Sequence, residues 1–221
     1  MRTVIAGGHG QIALKLERLL AERGDRPAGI IRRPEQAQDL VDAGAEPLLL
    51  DLEAATVTEL AALLTDADAV VFAAGAGPGS GAARKNTVDR DAAVLLADAA
   101  ELAGVRRYLI ISSMGAEADA VYRADPVFET YLRAKGAADD AVRARTTLDW
   151  TVLRPGRLTD GPGGGLVRLA PSVGRGPIDR ADVAAVLAAL LHEPGTAGQT
   201  LELVAGNATI EEAVAAAAGH V

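Results

Sequence analysis

The 221-residue chain has no cysteine, two methionines, one tryptophan and three histidines. Without cysteine there is no disulfide framework and no thiolate metal site. His9, His192 and His220 stand too far apart in sequence for a zinc motif, so no metal is expected. Aromatic residues make up only 3% of the chain (Phe72, Tyr108, Tyr122, Phe128, Tyr131 and Trp150), which weighs against a site that sandwiches a planar ligand as large as a flavin or tetrapyrrole. Long apolar runs are also missing: charge interrupts each one well before 18 residues, so no membrane-spanning helix is expected. The N-terminus enters a strand almost at once, with no charged, apolar and cleavable signal arrangement, and a cytoplasmic location is expected. Basic charge is in deficit, with a net charge of −8, which argues against general affinity for nucleic acid. A local basic spot could still take a small anion.

Hydrophobic residues are plentiful at 49%, ample for the core of one α/β domain spanning residues 1–221. Short β-branched runs alternate with longer Ala/Leu-rich amphipathic ones, the pattern of a parallel sheet with helices on both faces. The runs predict strands at about 2–6, 27–31, 46–50, 69–73, 107–112, 149–153 and 200–204. Helices are predicted at about 11–23, 34–43, 54–65, 85–103, 127–145, 180–191 and 209–217. The expected architecture is a single Rossmann-type doubly wound parallel sheet of about seven strands, with a small substrate-cap region over about 157–221. No repeat is present. Residues 157–177, which include "TDGPGGG", read as a long loop over a ligand site, or alternatively as a surface excursion.

Gly7, Gly10 and Ala13 form G-x-x-G-x-x-A between a predicted strand and a predicted helix, with Gly8 adding room. Such glycines permit a tight turn and a close backbone approach to pyrophosphate, whose charge meets the helix N-terminal N–H groups at Gln11 and Ile12. The alternative is a turn that only reverses the chain. About twenty residues on, the second strand ends in Arg32 and Arg33, where an Asp or Glu would accept hydrogen bonds from the ribose hydroxyls of NAD. Guanidinium groups suit a 2′-phosphate instead, so NADP(H) is expected in preference to NAD(H) unless both arginines are simply solvated.

These residues, together with "VFAAGAG", "IISSMGA", "YLRAK", "WTVLRPGRLTD" and "IDRADVA" in that order, resemble the short-chain dehydrogenase/reductase superfamily over nearly the whole chain. The likeness is to its compact atypical NAD(P)-binding members, NmrA-like or epimerase-like. The resemblance implies that Asp51, with Leu52 beside it, approaches the adenine edge, although Asp51 could equally cap the following helix. It implies that Ala73, Ala74 and Gly75 line the cofactor, and that Pro155, Gly156 and Arg157 turn beneath the nicotinamide. It also implies that Tyr131 protonates a carbonyl oxygen as hydride arrives at carbon. Lys135 then holds the nicotinamide ribose and lowers the Tyr131 pKa, and Ser113, the favoured member of the Ser112–Ser113 pair, orients the carbonyl. A Y-x-x-x-K spacing also arises from ordinary helix packing. Met114 stands where extended relatives often carry Ser or Thr. Arg154 reads as structural, and Asp179 or Asp182 as the N-terminal charge of a helix.

The expected function is NADPH-dependent reduction of a small carbonyl or quinone-like substrate. The alternatives are a non-catalytic NADP(H)-responsive regulatory protein and, less strongly, an epimerase or dehydratase, whose usual substrate domain is missing. The expected partner is a small-molecule substrate, with neither nucleic acid nor membrane. Charged residues on the two longest helices (Arg84, Lys85 and Arg90; Arg133, Asp139, Asp140 and Arg143) leave monomer and homodimer both open.

Overall fold

The computed structural model describes residues 1–75, 77, 85–122 and 125–219; Arg84, His220 and the side chain of Lys85 lie outside that set. Its strands are β1 (Arg2–Ala6), β2 (Arg26–Ile31), β3 (Glu46–Leu49), β4 (Ala69–Phe72), β5 (Arg107–Ile111), β6 (Asp149–Pro155), β7 (Arg157–Thr159), β8 (Leu166–Ala170), β9 (Pro177–Asp179), β10 (Gln199–Ala205) and β11 (Ala208–Thr209). Its α-helices are α1 (Gln11–Glu22), α2 (Ala37–Asp42), α3 (Val57–Leu63), α4 (Ala92–Ala103), α5 (Pro126–Arg143), α6 (Arg180–Leu191) and α7 (Ile210–Ala218). A π-helical turn, Lys85–Asp91, leads into α4.

The main sheet has nine strands rather than about seven, in the order β11-β8-β10-β6-β5-β4-β1-β2-β3. From β3 to β10 every pairing is parallel, and the order 3-2-1-4-5-6 puts the switch point between β1 and β4, where open α/β sheets bind ligands. The extra strands, β8 and β11, are the antiparallel edge. The stretch expected as a long loop is therefore largely ordered: β7 pairs with β9 in a separate two-stranded ribbon, and β8 joins the main sheet. Its glycines are tied down by Asp179, which accepts from the Gly161 and Gly163 N–H groups, and by Asp182, which accepts from those of Gly164 and Gly165. Asp179 stands at the N-cap of α6, yet its side chain caps no helical N–H, because the glycine loop takes it.

Alternating strand residues feed opposite faces, as a period of two requires. Ile5, Val71, Leu109 and Leu153 pack beneath α1, α6 and α7, whereas Val4, Val70, Ile110 and Val152 pack beneath α3, α4 and α5. Fully buried leucines such as Leu16 and Leu96 contribute about 2 kcal/mol each by leaving water. Local signals set the helix ends: Thr56 with Glu59 and Thr209 with Glu212 form capping boxes, Asp125 caps α5 ahead of Pro126, and Gly104 at φ +75° stops α4. Asp139, expected on the outer face of α5, is fully buried against the sheet.

Candidate functional site: two cavities at the carboxyl edge of the sheet

The turn after β1 is shaped by the chain's own crowding. Gly7 has φ +84°, and a Cβ there would lie 2.6 Å from the Ala74 Cα. A Cβ on Gly8 would lie 2.6 Å from the Gly29 Cα, so β1 and β2 close on each other only without side chains there. Gly8 donates its N–H to the Ile30 carbonyl and Gly10 to that of Gly7, which fixes the turn. Gly10 is the N-cap of α1 and has no side chain to cap it, and the first turn holds no acidic residue. The N-terminus of α1 therefore presents its positive dipole end with no counter-charge in its first turn.

That helix end opens on a cleft of about 320 Å³ lined by Gly7, His9, Gly10, Arg32, Asp51, Leu52, Glu53, Ala73, Ala74 and Gly75, among others. Arg32 lies 3.6 Å from Glu53, and the His9 ring is 2.6 Å from Asp39. Asp51 does not cap α3, a task done by Thr56; its carboxylate accepts from the Glu53 N–H instead. Gly8, Gln11, Ile12 and Arg33 do not line the cleft; Arg33 faces Glu35 at 3.7 Å. The donors and the shape suit a phosphate-bearing nucleotide: an uncapped helix end, a bare glycine turn and an arginine at the end of β2.

A second cavity of about 960 Å³ is lined by Ser112, Ser113, Met114, Tyr131, Pro155, Gly156 and Arg157. Residues that the sequence reading did not select share it: Tyr122, Phe128, Arg175 and Glu202. Tyr122 meets the Phe128 ring edge-on at 5.1 Å, and Phe128 stacks on Tyr131 at 5.8 Å, so rings scarce in the chain converge here. Of the two serines, Ser112 is committed, donating to Asp139 at 2.8 Å, while Ser113 donates only weakly, to the Met114 carbonyl at 3.4 Å. Arg154 is structural: it binds Asp139 at 2.9 Å and Glu117 at 2.8 Å. Burial pushes the Asp139 carboxyl above the usual carboxylate range, against the pull of Arg154 and Ser112.

Lys135 lies in the wall between the cavities and lines neither. Its ammonium donates to the Ile111 carbonyl at 3.0 Å and the Ala74 carbonyl at 3.4 Å, and lies 3.3 Å from the buried Asp89 carboxylate. It thus ties the carboxyl ends of β4 and β5 together. The partner comes from the π-helical turn, whose irregular register no sequence period announces.

Glu17 also escaped the sequence reading. It shares the buried face of α1 with Ala13, Leu16 and Leu20, and neither carboxyl oxygen has a hydrogen-bond partner. Gly8 and Gly29 make its room: a Cβ on Gly29 would lie 2.4 Å from the Glu17 Oε1. Burial raises its pKa from 4.5 to about 8, so it is neutral at pH 7. The available signal was an acid at an apolar stripe position.

A family model described as NAD(P)H-binding matches residues 7–194. The chain belongs to the NAD(P)H-binding family. It is 34% identical to the uncharacterised sugar epimerase YhfK of Bacillus subtilis, over 97% of this chain and 99% of that protein. A solved structure from Bacillus halodurans, provisionally described as an NAD-dependent epimerase/dehydratase, is 33% identical and superposes with a TM-score of 0.89 over 98% of this chain and 99% of that one. The oxidoreductase ylbE of Lactococcus lactis is 25% identical with a TM-score of 0.86, covering 100% of this chain and 98% of that one. Among the described residues no helix is long and apolar enough to cross a membrane.

Proposed function

We propose that the protein is an NADPH-dependent oxidoreductase that reduces a small carbonyl or quinone-like substrate, with Tyr131 as its catalytic acid. The observation that carries this reading is the shared wall: Lys135 bonds to the carbonyl of Ala74, which lines the nucleotide cleft, and to that of Ile111, beside the serines of the second cavity. A nicotinamide cofactor bound in the cleft would supply hydride to a substrate carbon. Gly7, Gly10 and the N-terminus of α1 would hold its phosphates, Arg32 would take the 2′-phosphate in competition with Glu53, and Asp51 would border the adenine. The Tyr131 phenol gives its proton to the substrate oxygen, and Ser113, weakly engaged, turns its hydroxyl to the same atom. Lys135 holds the ends of β4 and β5 in place beside both cavities.

Tyr131→Phe removes the proton and keeps the ring. Turnover of a carbonyl and quinone panel, followed by NADPH oxidation, is expected to fall about 100-fold or more, with NADPH affinity unchanged. Unchanged turnover would refute the assignment. The names given to the Bacillus subtilis and Bacillus halodurans relatives favour a second reading, an epimerase that returns its hydride internally. Such an enzyme converts substrate without net NADPH oxidation, so the same assay separates the two. Against it, much of the chain after Gly156 completes the main sheet through β8, β10 and β11 and leaves little for a separate sugar-binding domain.

A further inference from the structure

Three of the chain's six aromatic side chains, Tyr122, Phe128 and Tyr131, form a continuous ring cluster on one wall of the second cavity. Scarcity along the chain is therefore not scarcity at this site. Arg157 and Arg175 line the same cavity, and no described carboxylate lies within ion-pair distance of either guanidinium. Ten other arginines, among them Arg133, Arg145 and Arg180, do form ion pairs. Arg18, Arg23, Arg26, Arg107 and Arg168 also lack such a pair, but Arg157 and Arg175 are the two that meet at this cavity, in a chain of net charge −8. One carboxylate does share the cavity, that of Glu202, but it accepts the Val173 N–H at 2.9 Å. The nearby Glu129 is likewise engaged, by Arg133 and by the Tyr122 N–H.

We infer that the substrate of this cavity is a ring-bearing anion, its acidic group held by Arg175 and Arg157 and its ring laid against Phe128 and Tyr131. Guanidinium groups bind carboxylate and phosphate in the same forked geometry, so the shared chemistry is a planar oxyanion-bearing aromatic. The aromatic wall contributes offset stacking. A volume of about 960 Å³ accommodates a multi-ring molecule. The inference rests on the oxidoreductase reading for its link to turnover, but the binding claim is separable from it.

The test is calorimetric titration of the free protein with 2-naphthoate, 2-naphthyl phosphate, 2-naphthalenemethanol and cyclohexanecarboxylate, repeated on Arg175→Gln, on Arg157→Gln/Arg175→Gln and on Phe128→Ala. Each protein is also titrated with NADPH. The two naphthyl anions are expected to bind at least tenfold more tightly than the neutral ring or the non-aromatic anion, and their ranking tells carboxylate from phosphate. The double arginine variant is expected to lose at least tenfold for both anions and to weaken their salt dependence, while Arg175→Gln keeps its NADPH affinity. Equal binding of naphthoate and naphthalenemethanol, or no loss in the double variant, overturns the inference. Loss of NADPH affinity in Arg175→Gln overturns it too, by assigning the guanidinium to the cofactor. NADPH binding without binding of any probe sinks the inference and leaves the oxidoreductase reading standing; naphthoate binding without NADPH binding does the reverse.

Discussion

Replacing Glu17 by glutamine keeps the shape of the side chain and removes its proton equilibrium, so the effect on stability isolates a single titration. In the fold the carboxyl has a pKa of about 8, against 4.5 for an ordinary glutamate, because it is buried with no partner for either oxygen. Below about pH 4.5 it is protonated in both the folded and the unfolded chain and has no pH-linked effect. Between pH 4.5 and 8 the unfolded chain ionises while the fold keeps the proton, and the fold loses about 1.4 kcal/mol of stability per pH unit relative to the variant. The accumulated penalty is about 3 kcal/mol at pH 7 and levels off near 5 kcal/mol above pH 8. Urea unfolding of both proteins at pH 5, 6, 7 and 8 reads it directly, because the titrations they share cancel in the difference. Glu17→Gln is expected to gain steadily on the parent as pH rises. Parallel stability curves from pH 5 to 8 would show that Glu17 ionises normally and that its burial is misread. A corollary follows at the glycine turn: above pH 8 a negative charge forms behind Gly8, and NADPH affinity is expected to fall in the parent but not in the variant.

Arg154→Ala leaves the fully buried Asp139 carboxyl without its cation and is expected to cost about 3–5 kcal/mol in urea unfolding; Arg154→Met/Asp139→Leu recovers most of that loss. Gly7→Ala places a Cβ 2.6 Å from the Ala74 Cα at φ +84° and is expected to lose roughly 1–3 kcal/mol or more, with nucleotide affinity falling in the same titration series. Thr209→Ala removes the capping box of α7 and is expected to lower stability by about 1 kcal/mol without changing NADPH affinity, since α7 borders neither cavity.

The parallel part of the sheet was legible because most of its strands are short apolar runs bounded by turn residues, β1, β4 and β5 above all, and the glycine turn marks the junction of β1 and α1. The antiparallel edge was not. "LVRLA" alternates correctly, with Val167 and Leu169 buried, but it lies between glycine and proline clusters, and its partner β10 starts about thirty residues later. Pairing across that distance is set by tertiary register, which local composition does not carry. The site divides in the same way. The Y-x-x-x-K spacing and the double serine brought Tyr131 and Ser113 to one cavity, yet sequence could not foresee that Asp89 faces Lys135 from a π-helical turn, or that Arg33 turns toward Glu35. Nor could it show that the glycines serve two ends at once. Gly8 and Gly29 are bare because two strands and a buried carboxyl meet there, and the same bareness leaves the end of α1 open. The aromatic count misled for a related reason: composition averages over the chain, and the fold gathers half of its rings at one place.

The most direct test of the central claim is calorimetric titration with NADPH and with NADH, on the parent protein and on Arg32→Ala and Arg33→Ala. NADPH is expected to bind at least tenfold more tightly than NADH. Arg32→Ala should abolish that preference while leaving NADH affinity intact, and Arg33→Ala, whose guanidinium lies outside the cleft, should retain most of it. Equal affinity for the two cofactors in the parent would contradict the 2′-phosphate assignment. Failure of either cofactor to bind would leave the glycine turn as a packing device and remove the basis for the proposed chemistry.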